Sequence, residues 1–223
     1  MMEIKEMENV YKDIKKLNDI KLIVFDMDGV LLKNRNSWDV LIDKISGNKI
    51  KRDKMIYTFD YLYRHNIPAH LYNSLRSGNM ARYLNLNDIS PNLHMTMEEI
   101  KKMGIKTAIV SAGVHEFAEY LGTMYGFDYA IGNQIDTENM KIVKNVDPLK
   151  KDYNVRLIQK TFGIDKDETL SVGDSFMDLS MKRASRYFIA FNPSNVEMLK
   201  YSDFSVKSNN LFEIIKTIKW NIH

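Results

Sequence analysis

The stretch Lys21–Val30, KLIVFDMDGV, constrains the chain most. Its apolar run Leu22-Ile23-Val24-Phe25 has the length and branched character of a strand buried on both faces. The run stops at two carboxylates, Asp26 and Asp28, followed by Gly29. A buried parallel strand that ends in acids delivers them to the carboxyl edge of a sheet, where open α/β folds bind ligands. Two acids two residues apart repel unless something positive, such as a metal ion, lies between them. For this segment alone, a strand followed by an Asp-Gly turn is an equally good description. The rest of the chain has to decide.

Downstream of residue 94 the pattern becomes regular. A helix over about 95–103 ends at Gly104, and the strand Lys106-Thr-Ala-Ile-Val runs into Ser111-Ala112-Gly113. A helix to about Met124, a strand at Tyr129-Ala-Ile and a hairpin within 133–147 follow. A helix from Lys151 to Gly163 leads to the strand Thr169-Leu-Ser-Val, which runs into Gly173-Asp174. Helices at about 178–184 and 194–200, strands at 187–191 and 204–206, and a terminal helix complete the chain. Strands alternating with helices over this length predict an α/β fold, a doubly wound parallel sheet of the Rossmann-like kind with right-handed crossovers.

Two segments stand apart from that rhythm. Residues 1–20 carry Ile4, Met7, Tyr11, Ile14 and Leu17 at steps of three or four, the stripe of an amphipathic helix packed on the core. Residues 34–94 are rich in tyrosine and lack strand alternation. Trp38, Leu41, Ile42 and Ile45 recur at helical spacing, and a second helical stretch covers about 52–64. This predicts a small helical cap inserted after the first strand, with the core formed by 21–33 and 95–223. An insert at that edge is well placed to cover a site and exclude water.

Three buried strands thus end in groups that chemistry can use: Asp26 with Asp28, Ser111, and Asp174 with Asp178. A few carboxylates without a histidine or cysteine cluster suit Mg²⁺ better than Zn²⁺. Asp178 alone also reads as a helix cap. Ser111-Ala112-Gly113 at a strand-to-helix turn has the makings of a phosphate cradle, though a serine there also serves as a plain N-cap. Lys150-Lys151 opens a helix, where a positive charge opposes the macrodipole and calls for an anion nearby.

The order D-x-D-G, S-x-G, K, G-D-x-x-x-D resembles the haloacid dehalogenase superfamily of phosphoryl-transfer enzymes. Residues 21–207 resemble its phosphoserine-phosphatase-like branch, which carries its cap between the first two motifs. The resemblance implies that Asp26 is a nucleophile that takes the phosphoryl group and that Asp28 is the general acid, then base. It implies that Ser111 and Lys151, with backbone amides of Met27, Gly29 and Ala112, hold the phosphoryl oxygens. Asp26, the carbonyl of Asp28 and Asp174 would bind Mg²⁺, supported by Asp178. Lys151 is preferred to Lys150 because its 23-residue spacing to Asp174 (174 − 151) matches the family. Three departures bear on substrate. Arg35 stands where phosphoserine phosphatases place a glutamate that meets the substrate ammonium, Met177 replaces a common asparagine, and Ala112 a common glycine. Arg76 is a further candidate for reaching a substrate carboxylate.

Composition narrows the partners. A net charge of +3 spread over 223 residues gives no basis for nucleic-acid binding. No apolar run approaches the roughly 20 residues that cross a bilayer, and no signal-peptide pattern precedes the first strand. With no cysteine there is no disulfide framework, and a cytoplasmic location is expected. The sequence therefore predicts a Mg²⁺-dependent phosphatase acting on a small phosphate ester. A phosphotransferase or mutase on the same machinery, and an inactive binding protein of this fold, remain open, as does the oligomeric state.

Overall fold

The computed structural model describes residues 19–33, 36–46, 84–136 and 141–220. In chain order the elements are β1 (Leu22–Phe25), α1 (Ser37–Ser46), α2 (Leu93–Lys102), β2 (Lys106–Val114), α3 (His115–Tyr125), β3 (Tyr129–Asp136) and β4 (Lys141–Val143). They continue with α4 (Lys151–Phe162), β5 (Thr169–Gly173), α5 (Leu179–Lys182), β6 (Tyr187–Phe191), β7 (Phe204–Val206) and α6 (Glu213–Trp220). The strands form one seven-stranded sheet in the order β4-β3-β2-β1-β5-β6-β7, parallel throughout except for the antiparallel β3–β4 edge.

The central position of β1 follows from its composition. All four of its side chains are buried, and successive residues point to opposite faces. Ile23 and Phe25 enter one core with Ile109, Leu170 and Val172, covered by Met97 and Ile100 of α2, Phe117 of α3 and Ile214 of α6. Leu22 and Val24 enter a second core with Ala108, Val110 and Phe188, covered by Val155 and Ile158 of α4 and Met181 of α5. Helices on both faces make the sheet doubly wound, as the uninterrupted apolar strands predict.

Several boundaries differ from the sequence expectations. β2 does not stop before Ser111 but continues to Val114, with a register shift against β3 between Val110 and Val114. Such an irregularity re-aims side chains at a sheet edge. β3 runs to Asp136 and so supplies the first arm of the expected hairpin, with β4 as the second. The helix expected at 178–184 is the short α5, and the one at 194–200 is a 3₁₀ segment, Val196–Lys200.

The chain leaves β1 and returns to α2 through two segments that are bonded to each other. Lys33 N–H donates to the Asp88 carbonyl at 2.8 Å, and Ser90 N–H to the Leu31 carbonyl at 2.9 Å. Most of the predicted cap between them, including Arg35 and Arg76, lies outside the described residues, as does the amphipathic stripe of residues 1–18. Among the described residues no helix is long and apolar enough to cross a membrane.

Phe25 closes β1 directly beneath the acids and meets Phe127 edge-on, ring centroids 5.8 Å apart. Phe25→Ala is expected to cost about 3–5 kcal/mol. Denaturant unfolding measures this, and a loss under about 1 kcal/mol would show that the centre of the sheet is not packed as described.

Candidate active site

The carboxyl edge of the three central strands assembles the site. Asp26 directly follows β1, and its N–H donates to the Val172 carbonyl of β5 at 2.9 Å. Asp174 follows β5, Ser111 lies in the last part of β2, and Lys151 opens α4. Lys151, Asp26 and Asp178 are all buried; the Lys151 ammonium donates to Asp26 Oδ1 at 2.7 Å and to Asp178 Oδ1 at 2.5 Å. Three residues that are far apart in sequence are thereby joined, while Lys150 is exposed.

Asp178 stands at the N-cap position of α5, but its side chain makes no capping bond to that helix. Its Oδ2 accepts the N–H groups of Asp174 (3.1 Å) and Ser175 (2.9 Å) and the Ser175 hydroxyl (2.7 Å). Its carboxylate therefore ties the loop after β5 to Lys151. Gly173 makes room for this: a Cβ there would lie 2.2 Å from Asp178 Cβ. The α4 start is held from below, Lys151 N–H donating to Ser180 Oγ at 3.1 Å.

Gly29 contributes through what it lacks. Its φ is +87°, and a Cβ would stand 2.4 Å from Asp174 Oδ2. A side chain there would meet both backbone strain and the carboxylate. Its amide, expected to face a phosphate, donates to the Leu32 carbonyl at 2.7 Å. The turn after β1 needs that bond to close on itself, so Gly29 gives Asp174 clearance and the amide serves the turn. Ser111 is buried, and its Oγ accepts Gly113 N–H at 3.1 Å, which leaves its proton available. The Ala112 carbonyl accepts Trp38 Nε1 at 3.1 Å and Asn133 Nδ2 at 2.9 Å. Met177 is exposed beside Phe176 on the rim.

Sequence reasoning missed Ser37. This fully buried residue donates its N–H to Asp28 Oδ1 at 2.8 Å and its hydroxyl to Asp28 Oδ2 at 2.9 Å. Its Oγ also accepts Val114 N–H at 3.0 Å. The only signal in the sequence was a run of helix-starting residues, Asn36-Ser37, ahead of Trp38. Such a run marks a helix end without saying what the helix end faces.

The charges do not balance. Among the described residues, oxygens of Asp26, Asp174 and Asp178 lie within 4.8 Å of one another, and the Lys151 ammonium bonds two of the three. Burial, and then the charge of Asp178, push the Asp26 pKa upward against the pull of Lys151. Burial, and then Asp26 and Asp178, push Asp174 upward as well. Burial works against the Lys151 ammonium, but Asp178 and Asp26 outweigh it and raise its pKa. Asp28 is raised to about 6 by burial, with the Ser37 hydrogen bonds pulling it back. A cluster of hard oxygen donors that resists full ionisation is matched by a divalent cation.

A family model for haloacid dehalogenase-like hydrolases matches residues 20–185. A phosphoserine phosphatase from Haemophilus influenzae is 33% identical over 102 residues, covering 44% of this chain and 32% of its own. One from Methanocaldococcus jannaschii is 25% identical over 212 residues, covering 89% of this chain and 98% of its own. The chain thus spans about a third of the first relative and nearly all of the second. A solved structure of a phospho-aspartyl intermediate analogue of phosphoserine phosphatase has a TM-score of 0.67 at 21% identity, covering 89% of this chain and 98% of that one. That likeness establishes the shared fold.

Breaking a buried pair by removing one partner costs about 3–5 kcal/mol. Lys151→Met, unfolded by denaturant without added divalent ions, is expected to lose that much at neutral pH. Its two former partners then titrate higher in the folded than in the unfolded chain, so the cost shrinks at low pH and grows as pH rises. A pH-independent loss would show that Lys151 does not compensate these acids.

Proposed function

The chain belongs to the haloacid dehalogenase-like hydrolases, and from that premise we propose that it is a Mg²⁺-dependent phosphomonoesterase acting through a covalent phosphoryl group on Asp26. The observation that carries this reading is the buried Asp26 carboxylate, paired with Lys151 beside two further acids at one sheet edge. The donor set fits a hard divalent cation: Asp26, the Asp28 carbonyl and Asp174 would hold it. When bound it would supply positive charge beside the phosphoryl oxygens and keep Asp26 ionised.

The chain's own residues then divide the work. Lys151 and the Ser111 hydroxyl meet the anionic phosphoryl oxygens, where transition-state charge resides. An Asp26 oxygen forms the bond to phosphorus as the ester P–O bond breaks, and Asp28 delivers a proton to the departing oxygen. Water next attacks phosphorus, Asp28 takes its proton, and inorganic phosphate leaves with Asp26 restored. Relay through a carboxylate splits one difficult step into two. Asp178 holds Lys151 and the loop of Asp174 in register rather than reaching the substrate.

The reaction is tested by phosphate release from a chromogenic ester with and without Mg²⁺. Asp26→Asn is expected to abolish release while the unfolding midpoint stays close to wild type. Mg²⁺ is expected to raise the thermal midpoint of the wild-type protein and to do so much less in Asp174→Asn. Undiminished release by Asp26→Asn, or release that ignores chelation, contradicts the assignment.

For the substrate, the named relatives point to phosphoserine, whereas Arg35 argues for a different ester. A guanidinium beside a substrate ammonium costs affinity, since like charges in a closed site can cost several kcal/mol. It offers paired donors to a carboxylate or second phosphate instead. Small anionic esters without an amine, such as phosphoglycolate or phosphoglycerate, are therefore expected to give the higher kcat/KM. Arg35→Glu is expected to shift the preference toward phosphoserine. If phosphoserine is already the best substrate of the wild type, or the ratio does not move, Arg35 does not set specificity.

A further inference from the structure

The torsion that turns a carboxyl group about its last bond is broad and two-fold. A proton donor on such a group delivers to one point in space only if something else fixes its plane. Among the described residues, Ser37 does that for Asp28: its amide donates to Oδ1 at 2.8 Å and its hydroxyl to Oδ2 at 2.9 Å. Two contacts on two oxygens from one rigid origin define an orientation, which one contact does not.

Ser37 is itself fixed on every side. It is fully buried, and its Oγ receives Val114 N–H at 3.0 Å. The next residue, Trp38, anchors α1 to the Ala112 carbonyl. Space around the pair is close to its limit: a Cβ on Gly113 would lie 2.3 Å from Ser37 Oγ and 2.6 Å from Asp28 Oδ2. Nor is the serine serving as a helix cap. Asn36 performs that role, its Oδ1 accepting Asp39 N–H at 2.8 Å. The Ser37 hydroxyl is turned instead to two residues outside its own helix.

We infer that Ser37 is a positioning residue for Asp28, holding the carboxyl where it exchanges protons with the leaving oxygen and then with the attacking water. A hydroxyl has one proton and two acceptor sites. It can donate to Asp28 Oδ2 both when Asp28 has given its proton away and when the proton is back on a remaining lone pair, which leaves that proton free for the leaving oxygen. The Val114 N–H bond persists in both arrangements, so both halves of the cycle meet the same heavy-atom geometry. This inference rests on the phosphomonoesterase reading above.

The leaving group separates positioning from mere support. An alkyl oxygen must be protonated as it departs, whereas a dinitrophenolate leaves without help. The parameter to compare is kcat/KM, because it ends at the first irreversible step, which is departure of the leaving group. Ser37→Ala is expected to lower kcat/KM for an alkyl phosphate by roughly 10- to 100-fold, the range a misplaced catalytic group costs. For dinitrophenyl phosphate the loss is expected to stay within about threefold. Asp28→Asn is expected to show the same selective pattern, and Ser37→Ala in that background to add little for the alkyl ester. Ser37→Cys keeps the amide, fills the space with a weak donor and is expected to show the same selectivity. Equal losses for both esters in both Ser37 variants would reduce Ser37 to a structural role, and no loss for either would dismiss it. Both outcomes overturn this inference alone. A wild-type protein unable to hydrolyse either ester would instead overturn the phosphomonoesterase reading, and this inference with it.

Discussion

One ammonium among buried carboxylates holds this site together. Lys151 reaches Asp26 after β1 and Asp178 after β5, and Asp178 in turn accepts the amides that shape the Asp174 loop. Removing the ammonium leaves the acids buried without compensation, which is the costly state for a charged group. Among the described residues the cluster is nonetheless under-neutralised, with oxygens of three acids converging on the Lys151 ammonium. Excess negative charge where a sheet edge presents donors is a standing demand for positive charge, and a divalent ion meets it in a way that a second lysine would not. The ion can leave the phosphoryl oxygens a shared partner, whereas an ammonium has only point-like donors to offer.

Close approach is the second requirement, and it is met by absent side chains. Asp174 can stand beside the turn after β1 because Gly29 has no Cβ, and Asp28 and Ser37 can share space with the end of β2 because Gly113 has none. The acids are thus brought into range by two glycines, one in the turn after β1 and one near the end of β2. The backbone that carries them is in turn immobilised by apolar cores on both faces of the sheet, so the polar edge inherits the precision of the packing beneath it.

Much of this was legible in the sequence because buried parallel strands announce themselves as short apolar runs, and because each run ended in a residue with chemistry to offer. Asp26, Ser111, Asp174 and Asp178 were identified from those ends and Lys151 from a helix start and the family spacing, and the structure brings Asp26, Lys151, Asp174 and Asp178 together. What the sequence hid was tertiary. Nothing in the order of residues shows that β2 carries a register shift and runs on to Val114, because a bulge is settled by pairing with β3. Nothing shows that the Gly29 amide turns to Leu32 rather than outward, since that depends on how the turn closes. Ser37 was invisible for a related reason: its type fits an ordinary helix start, and only the docking of α1 against β2 gives it Asp28 as a partner. Arg35 and Arg76 were read from position alone and lie outside the described residues.

Two carboxylates two residues apart, on one turn, would titrate almost alike in water. Here their partners differ in kind. Asp26 is buried among charges: burial and the Asp178 carboxylate push its pKa up, and the Lys151 ammonium pulls it back. Asp28 faces a neutral amide and a neutral hydroxyl from Ser37, with Lys151 a lesser influence. Burial raises both carboxylates, and what pulls each back differs: an ammonium for Asp26, neutral donors for Asp28. Ser37, in the first turn of α1, supplies those neutral donors, and Trp38 beside it fastens α1 to the Ala112 carbonyl of β2, so the contrast rests on how α1 docks.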